Sequence, residues 1–302
     1  MMILNILQWK HIKVFQWILL LVMTEKSTVF VLLTDHGYLP KAKKTIIDLR
    51  ARGQWRGDII LILVGPVNMC QNFCHFYQVT CKCFPEIMEK HELVKKINYT
   101  SFTDSIDGRE ITKINQWEKL HVFDPFFQKW SQVVFLDAGL RVLDNVHDSI
   151  LQLDCTNCFM APDDGGNFIP SPNPDKLFET QVSKTFYKLM IDSLNKFGGI
   201  KIMKQAYFLN CIWMYDTSII NTCSKNELIS GILENPICLT NEMALMNMYI
   251  HFKYNLWKPF PKHVSNSSRI LFDWCESNNP EPSNWMNYSF LKYPCTITFE
   301  DT

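Results

Sequence analysis

The placement of apolar residues along the chain predicts short buried strands alternating with helices. Thr28 to Leu33, Asp58 to Val64 and Val133 to Leu136 are apolar runs, and the last has the unbroken pattern of a strand buried on both faces. Between the first two, Pro40 suits the first turn of a helix. Ala42, Ile46 and Leu49 recur at helical spacing, and Gly53 stands just beyond the end. This is a βαβ unit, and its two strands should pair in parallel. From Glu110 onward, Ile114, Trp117, Leu120 and His121 share one helical face. Glu118 and Lys119 lie away from its centre, and Pro125 breaks the pattern. Val79 to Phe84 alternates like a strand, and Cys158 to Ala161 and Phe208 to Ser218 read as further core strands. Phe178, Val182, Phe186 and Leu189 would line the inner side of another helix. The order implies an α/β fold: a mixed, mainly parallel sheet flanked by helices.

Composition narrows the picture. With 302 residues the chain can bury a full core, and 47% apolar content with 13% aromatics describes an ordered globule. Lys+Arg and Asp+Glu balance at 30 each, so no net field favours nucleic acid. Gly-x-Gly-x-x-Gly and the P-loop pattern are absent, which disfavours an ordinary dinucleotide or P-loop site. Eleven irregularly spaced cysteines in so long a chain are read as reduced thiols, and Cys70, Cys74, His75, Cys81, Cys83 and His91 lack the paired knuckles of a zinc site. Val14 to Met23 is apolar but shorter than the about 20 residues a spanning helix needs. Residues 1–24 are therefore read as a hydrophobic extension and 25–302 as a single domain. A soluble, cytoplasmic protein is expected. Membrane or Golgi attachment through residues 1–23 is the alternative.

Chemistry concentrates where the third run stops. Asp137 follows Leu136 directly, then Ala138 and Gly139, at the carboxyl end of a strand, where open α/β sheets bind ligands. Phe159-Met-Ala-Pro-Asp-Asp-Gly-Gly166 repeats the theme and places Asp163 and Asp164 near the same edge. As an ordinary turn, either stretch would need its Asp and Gly residues only for backbone geometry.

The line Trp117-Glu-Lys-Leu120 … Trp130-Ser-Gln-Val-Val-Phe-Leu-Asp-Ala-Gly139 resembles the metal-site region of nucleotide-sugar glycosyltransferases of the GT-A fold, most nearly family 8, the glycogenin and galactosyltransferase group. The resemblance implies a GT-A (Rossmann-like) domain. By it, Thr34 and Asp35 would meet the base and ribose of a nucleotide, and Tyr38 would stack on the base. Lys119 would approach the nucleotide as the basic residue before the strand. Asn210, in Phe208-Leu-Asn-Cys-Ile, would enter the sugar site. Asn241 and Glu242, in Thr240-Asn-Glu-Met-Ala-Leu-Met-Asn247, would approach the transferred sugar. Each has a plain structural rival: a βα turn for 34–38, a solvated lysine for Lys119, a backbone partner for Asn210, and helix capping by Thr240 for Asn241 and Glu242.

The resemblance implies sugar transfer from a nucleotide-diphosphate sugar, with a UDP-sugar favoured, to a glycan or protein acceptor. A catalytically inactive module binding nucleotide sugar or glycan is the alternative. The family holds Mn²⁺ or Mg²⁺ with two aspartates and a histidine. Here Gly139 replaces the second aspartate, the late His-x-x-Gly-x-x-Lys-Pro-Trp motif is missing, and Lys292-Tyr-Pro294 is at best its remnant. Asp137 is then the one expected protein ligand of a weakly required ion. Arg141 or Lys292 neutralising the diphosphate without metal is the competing expectation. A retaining reaction is favoured. An inverting one would need Asp163, Asp164 or Glu242 as base.

Overall fold

In a computed structural model that describes residues 27–65, 71–97, 113–164, 177–184, 187–238, 241–264, 267–275 and 285–293, a seven-stranded sheet carries the chain. The hydrophobic extension, the loop from Asn98 to Asp107, and Cys70, Phe186 and Thr240 lie outside the described residues. Strands β1 (Thr28–Thr34), β2 (Asp58–Leu63), β3 (Thr80–Lys82), β4 (Gln132–Leu136), β6 (Phe159–Ala161), β7 (Ile212–Asp216) and β8 (Trp257–Pro259) run in the order β3-β2-β1-β4-β7-β6-β8. The pairs β1–β2, β1–β4, β2–β3 and β6–β8 are parallel, whereas β7 is antiparallel to both β4 and β6. The sheet is therefore mixed and mainly parallel.

The continuous apolar runs follow from burial on both faces. In β4, Val133 and Phe135 point into one core, while Val134 and Leu136 point into the other. β1 divides the same way, Val29 and Val31 against Phe30 and Leu32. Helix α1 (Leu39–Ala51) covers the second face with Leu39, Ala42, Ile46 and Leu49, and Pro40 sits in its first turn. On the first face Phe135 stacks on Trp213 at 3.9 Å, and Phe123 stacks on Tyr215 at 5.3 Å. Offset ring pairs like these add to the area they bury.

Three local readings change. Residues Lys113–Phe123 wind as a 3-10 helix, so side chains repeat every three residues, not every 3.6. Ile114, Trp117, Leu120 and Phe123 form the core stripe, and Glu118 and Lys119, expected off the buried face, are buried as well. The helix expected around Phe178 is two pieces in the described residues, Phe178–Gln181 and Tyr187–Asn195. The strand expected from Phe208 begins at Ile212, which leaves Asn210 on the approach to β7.

A second sheet, β5 (Leu140–Val142), β10 (Tyr288–Lys292) and β9 (Ile270–Trp274) in the order β5-β10-β9, packs Val142, Phe290 and Phe272 into the second core. It also settles Arg141. That side chain, expected at a diphosphate, is buried in an ion pair with Asp48 of α1, so the guanidinium ties the small sheet to the helix. Among the described residues no helix is long and apolar enough to cross a membrane.

Removing one member of a buried pair leaves an uncompensated charge. Arg141→Met should therefore destabilise the protein by about 3–5 kcal/mol, with most of that recovered in Arg141→Met/Asp48→Leu. Urea unfolding of the three proteins measures it. Replacing Lys184, exposed beside Glu179, by Met should leave the urea midpoint nearly unchanged, because an exposed pair is screened by solvent.

Candidate active site

The site is built where β4 ends. β4 runs parallel to β1 and antiparallel to β7, so its carboxyl end meets the end of β1 and the start of β7. Val31 pairs with Phe135, two residues before Asp137, and the amide of Asp137 donates to the Cys211 carbonyl at 2.9 Å. Asp137 thus lies beside both the Thr34–Tyr38 loop and Asn210. Gly139, at φ +86°, makes the turn into β5, and its amide donates to the Thr45 hydroxyl at 3.1 Å.

The three-residue repeat of the 3-10 helix lays out two polar stripes. Gln116 and Lys119 share one. The Lys119 ammonium lies 3.0 Å from Asp137 Oδ1, 3.1 Å from Glu242 Oε1 and 3.3 Å from the Asn210 carbonyl. The Asn210 amide donates to Glu242 Oε1 at 2.6 Å, and Asn241 donates to Gln116 at 3.2 Å. Asn115, on the other stripe, donates to Asp35 Oδ2 at 2.9 Å. From the small sheet, Lys292 Nζ reaches Asp137 Oδ2 at 3.1 Å and the Ala138 carbonyl at 3.2 Å.

These contacts set the charges. Burial pulls the Asp137 carboxyl up, but Lys119 and Lys292 outweigh it and hold the group below the usual carboxylate range. Burial lowers the Lys119 ammonium, and Asp137 and Glu242 outweigh that, so it stays charged. Glu242 is pushed up by burial against the pull of Lys119, and its Oε2 is buried with no hydrogen-bond partner among the described residues. Burial, with Asp137 close by, raises the Cys211 thiol to about 12, so it remains a protonated bystander.

The sequence-derived residues divide accordingly. Asp137, Lys119, Asn210 and Glu242 form one contiguous cluster, with Asn241 beside it at φ +56°. Asp35 closes the βα turn by accepting from the Tyr38 amide at 3.0 Å, and the Thr34 hydroxyl donates to the Asp35 carbonyl. Tyr38 keeps its half-buried ring at the rim, with the Lys41 ammonium 5.5 Å from its centroid. Asp163 bridges to Phe208, and Asp164 accepts from the Tyr207 hydroxyl, which places both beside the segment leading to Asn210. Arg141 belongs to the Asp48 pair. Lys292, Asn115 and Gln116 went unassigned or underweighted from sequence. The signal for Lys292 was an apolar run, Phe290-Leu291, ending on a charge as β4 does.

A divalent ion fits this set poorly. Two carboxylates approach each other, but the Lys119 ammonium already bridges them and Lys292 takes the second oxygen of Asp137. His263 is exposed and turned to the Arg269 carbonyl. Among the described residues no group of three His, Cys, Asp or Glu gathers around a common point.

The fold is that of the GT-A glycosyltransferases. No family model and no curated protein matches the chain. Solved structures do. The WbbM bifunctional glycosyltransferase, apo form, aligns with a TM-score of 0.56 and 13% identity over 89% of this chain and 46% of its own, so this chain spans under half of that protein. The galactosyltransferase LgtC, in complex with donor and acceptor sugar analogs, aligns with a TM-score of 0.52 and 12% identity over 88% of this chain and 86% of its own.

The shifts predict a signed pH response. The Asp137 pKa is lowered on folding, so its ion pairs contribute fully above the ordinary carboxylate pKa. That contribution is lost as pH falls through the depressed value. Asp137→Asn should flatten the acid limb of a stability–pH curve followed by thermal melts. Glu242 works oppositely: its raised pKa means stability is lost as pH rises through that value, and Glu242→Gln should remove that loss.

Proposed function

We propose that the protein is a glycosyltransferase taking a sugar from a nucleotide-diphosphate donor, a UDP-sugar in the favoured reading, and passing it to a glycan or protein acceptor. The observation that carries the reading is the joining of Asp137, Lys119, Asn210 and Glu242 at the end of β4, next to the Thr34–Tyr38 loop. Open α/β sheets bind ligands in such a crevice outside the carboxyl ends of strands. In this reading the Tyr38 ring takes the base, Asp35 the ribose, and the lysines face the diphosphate. Asn210 meets the sugar, with Glu242 behind it accepting its amide.

Transfer breaks the bond between the anomeric carbon and the diphosphate, and the leaving group needs positive charge as it departs. Lys119 and Lys292 supply that charge at fixed positions. The retaining course is favoured because two of the three candidate bases are occupied. Glu242 is wholly buried under Lys119 and Asn210, and Asp164 holds the Tyr207 hydroxyl. The acceptor hydroxyl would then attack on the leaving-group side, its proton passing to the departing diphosphate.

Incubation with a panel of nucleotide sugars, followed by assay of free nucleoside diphosphate, tests the activity. Release with one donor, and product retaining the donor's anomeric configuration by NMR, is the expected result. Binding without release from any donor would identify the inactive module instead. Tyr38→Ala should weaken nucleotide affinity by about 1–3 kcal/mol if the ring stacks on the base, read by calorimetric titration with UDP.

A further inference from the structure

We propose that this protein binds its donor diphosphate without a divalent metal, because the Lys119 ammonium is built into the place between Asp137 and Glu242 that a cation would occupy. The inference rests on the nucleotide-sugar reading and concerns how the same site handles charge.

Counting donors and acceptors supports it. An ammonium has three N–H groups. Those of Lys119 meet three acceptors: Asp137 Oδ1, Glu242 Oε1 and the Asn210 carbonyl. Lys119 is thus a saturated, buried, fixed positive charge, as a structural ion would be. Lys292 spends two donors on Asp137 Oδ2 and the Ala138 carbonyl, and its third has no acceptor among the described residues. A phosphate oxygen supplies that acceptor.

Charge points the same way. Two ammonium groups, Lys119 and Lys292, stand against two carboxylates, Asp137 and Glu242, so the cluster carries no excess of negative charge. A carboxylate pair open to a dication would instead be negative. Position 139 reinforces this. Its backbone, at φ +86°, disfavours an L side chain, so the turn is shaped for glycine and brings no second carboxylate. A dication entering here must displace a lysine that is already neutralising both carboxylates, or sit against two ammonium groups. A diphosphate meets neither obstacle.

The test uses the full chain and UDP as probe. UDP affinity is measured by calorimetry in excess EDTA and in saturating MnCl₂, and Mn²⁺ binding to the protein alone is followed by loss of the free-ion EPR signal. The expected result is UDP affinity equal within about twofold in the two conditions, with no protein-dependent loss of the Mn²⁺ signal. UDP binding that appears only with Mn²⁺ overturns the inference and leaves the transferase reading standing. Binding in neither condition removes a uridine diphosphate site and overturns the inference, and the donor panel then decides the transferase reading separately. Lys119→Ala frees the carboxylate pair. Its UDP affinity should fall at least tenfold in EDTA and recover in part with Mn²⁺, as the ion takes the vacated place. Should Lys119→Ala not fold, the comparison on the unaltered protein decides alone, and Lys119→Arg should keep UDP binding in EDTA.

Discussion

A buried ammonium held between two carboxylates is the constraint on which the rim of the larger sheet depends. Taking a lysine out of water is tolerable only when every donor is met and opposite charge lies close. Lys119 satisfies both conditions by drawing together the end of β4, the approach to β7 and the helix that begins at Glu242. The Phe135 ring beneath it, 5.6 Å from the nitrogen, adds a cation–π contact and fixes its approach. Loss of this lysine would leave the Asp137 and Glu242 carboxylates without the cation that joins them.

The reversal of strand direction makes that meeting possible. In an all-parallel sheet the carboxyl end of β4 would lie beside another carboxyl end. Because β7 runs the other way, Asp137 lies beside Cys211, and Asn210 comes with it. The small sheet then closes the same corner from a different part of the chain, through Lys292. Arg141, on the strand next to Lys292's own, faces α1 and holds that sheet in place. The two cations thus divide the work, one anchoring the scaffold and one reaching the site.

Much of this architecture was legible in the residues. The apolar runs at 28–33, 58–64 and 133–136 are strands because burial on both faces demands unbroken hydrophobicity, and each ends where the pattern stops. Asp137 stood out for the same reason. From Ile114 onward the period differs from the one expected. Ile114, Trp117 and Leu120 share a face at either repeat, but His121 joins them only at 3.6 residues per turn and Phe123 only at three, and the three-fold repeat brings Gln116 and Lys119 into line. That choice depends on the surfaces packed against the segment, which no local pattern records.

Sequence alone therefore determined the fold class and the βαβ start, and pointed to the acidic strand end as the place proposed for chemistry, since each rests on neighbours within a few residues. Tertiary structure alone decided which charges meet. Lys119 and Lys292 both hold Asp137, Lys292 from 155 residues away, while Arg141, four residues from Asp137, turns aside to Asp48. A buried charge takes its partner from whatever folding brings within reach, and distance along the chain has no part in that.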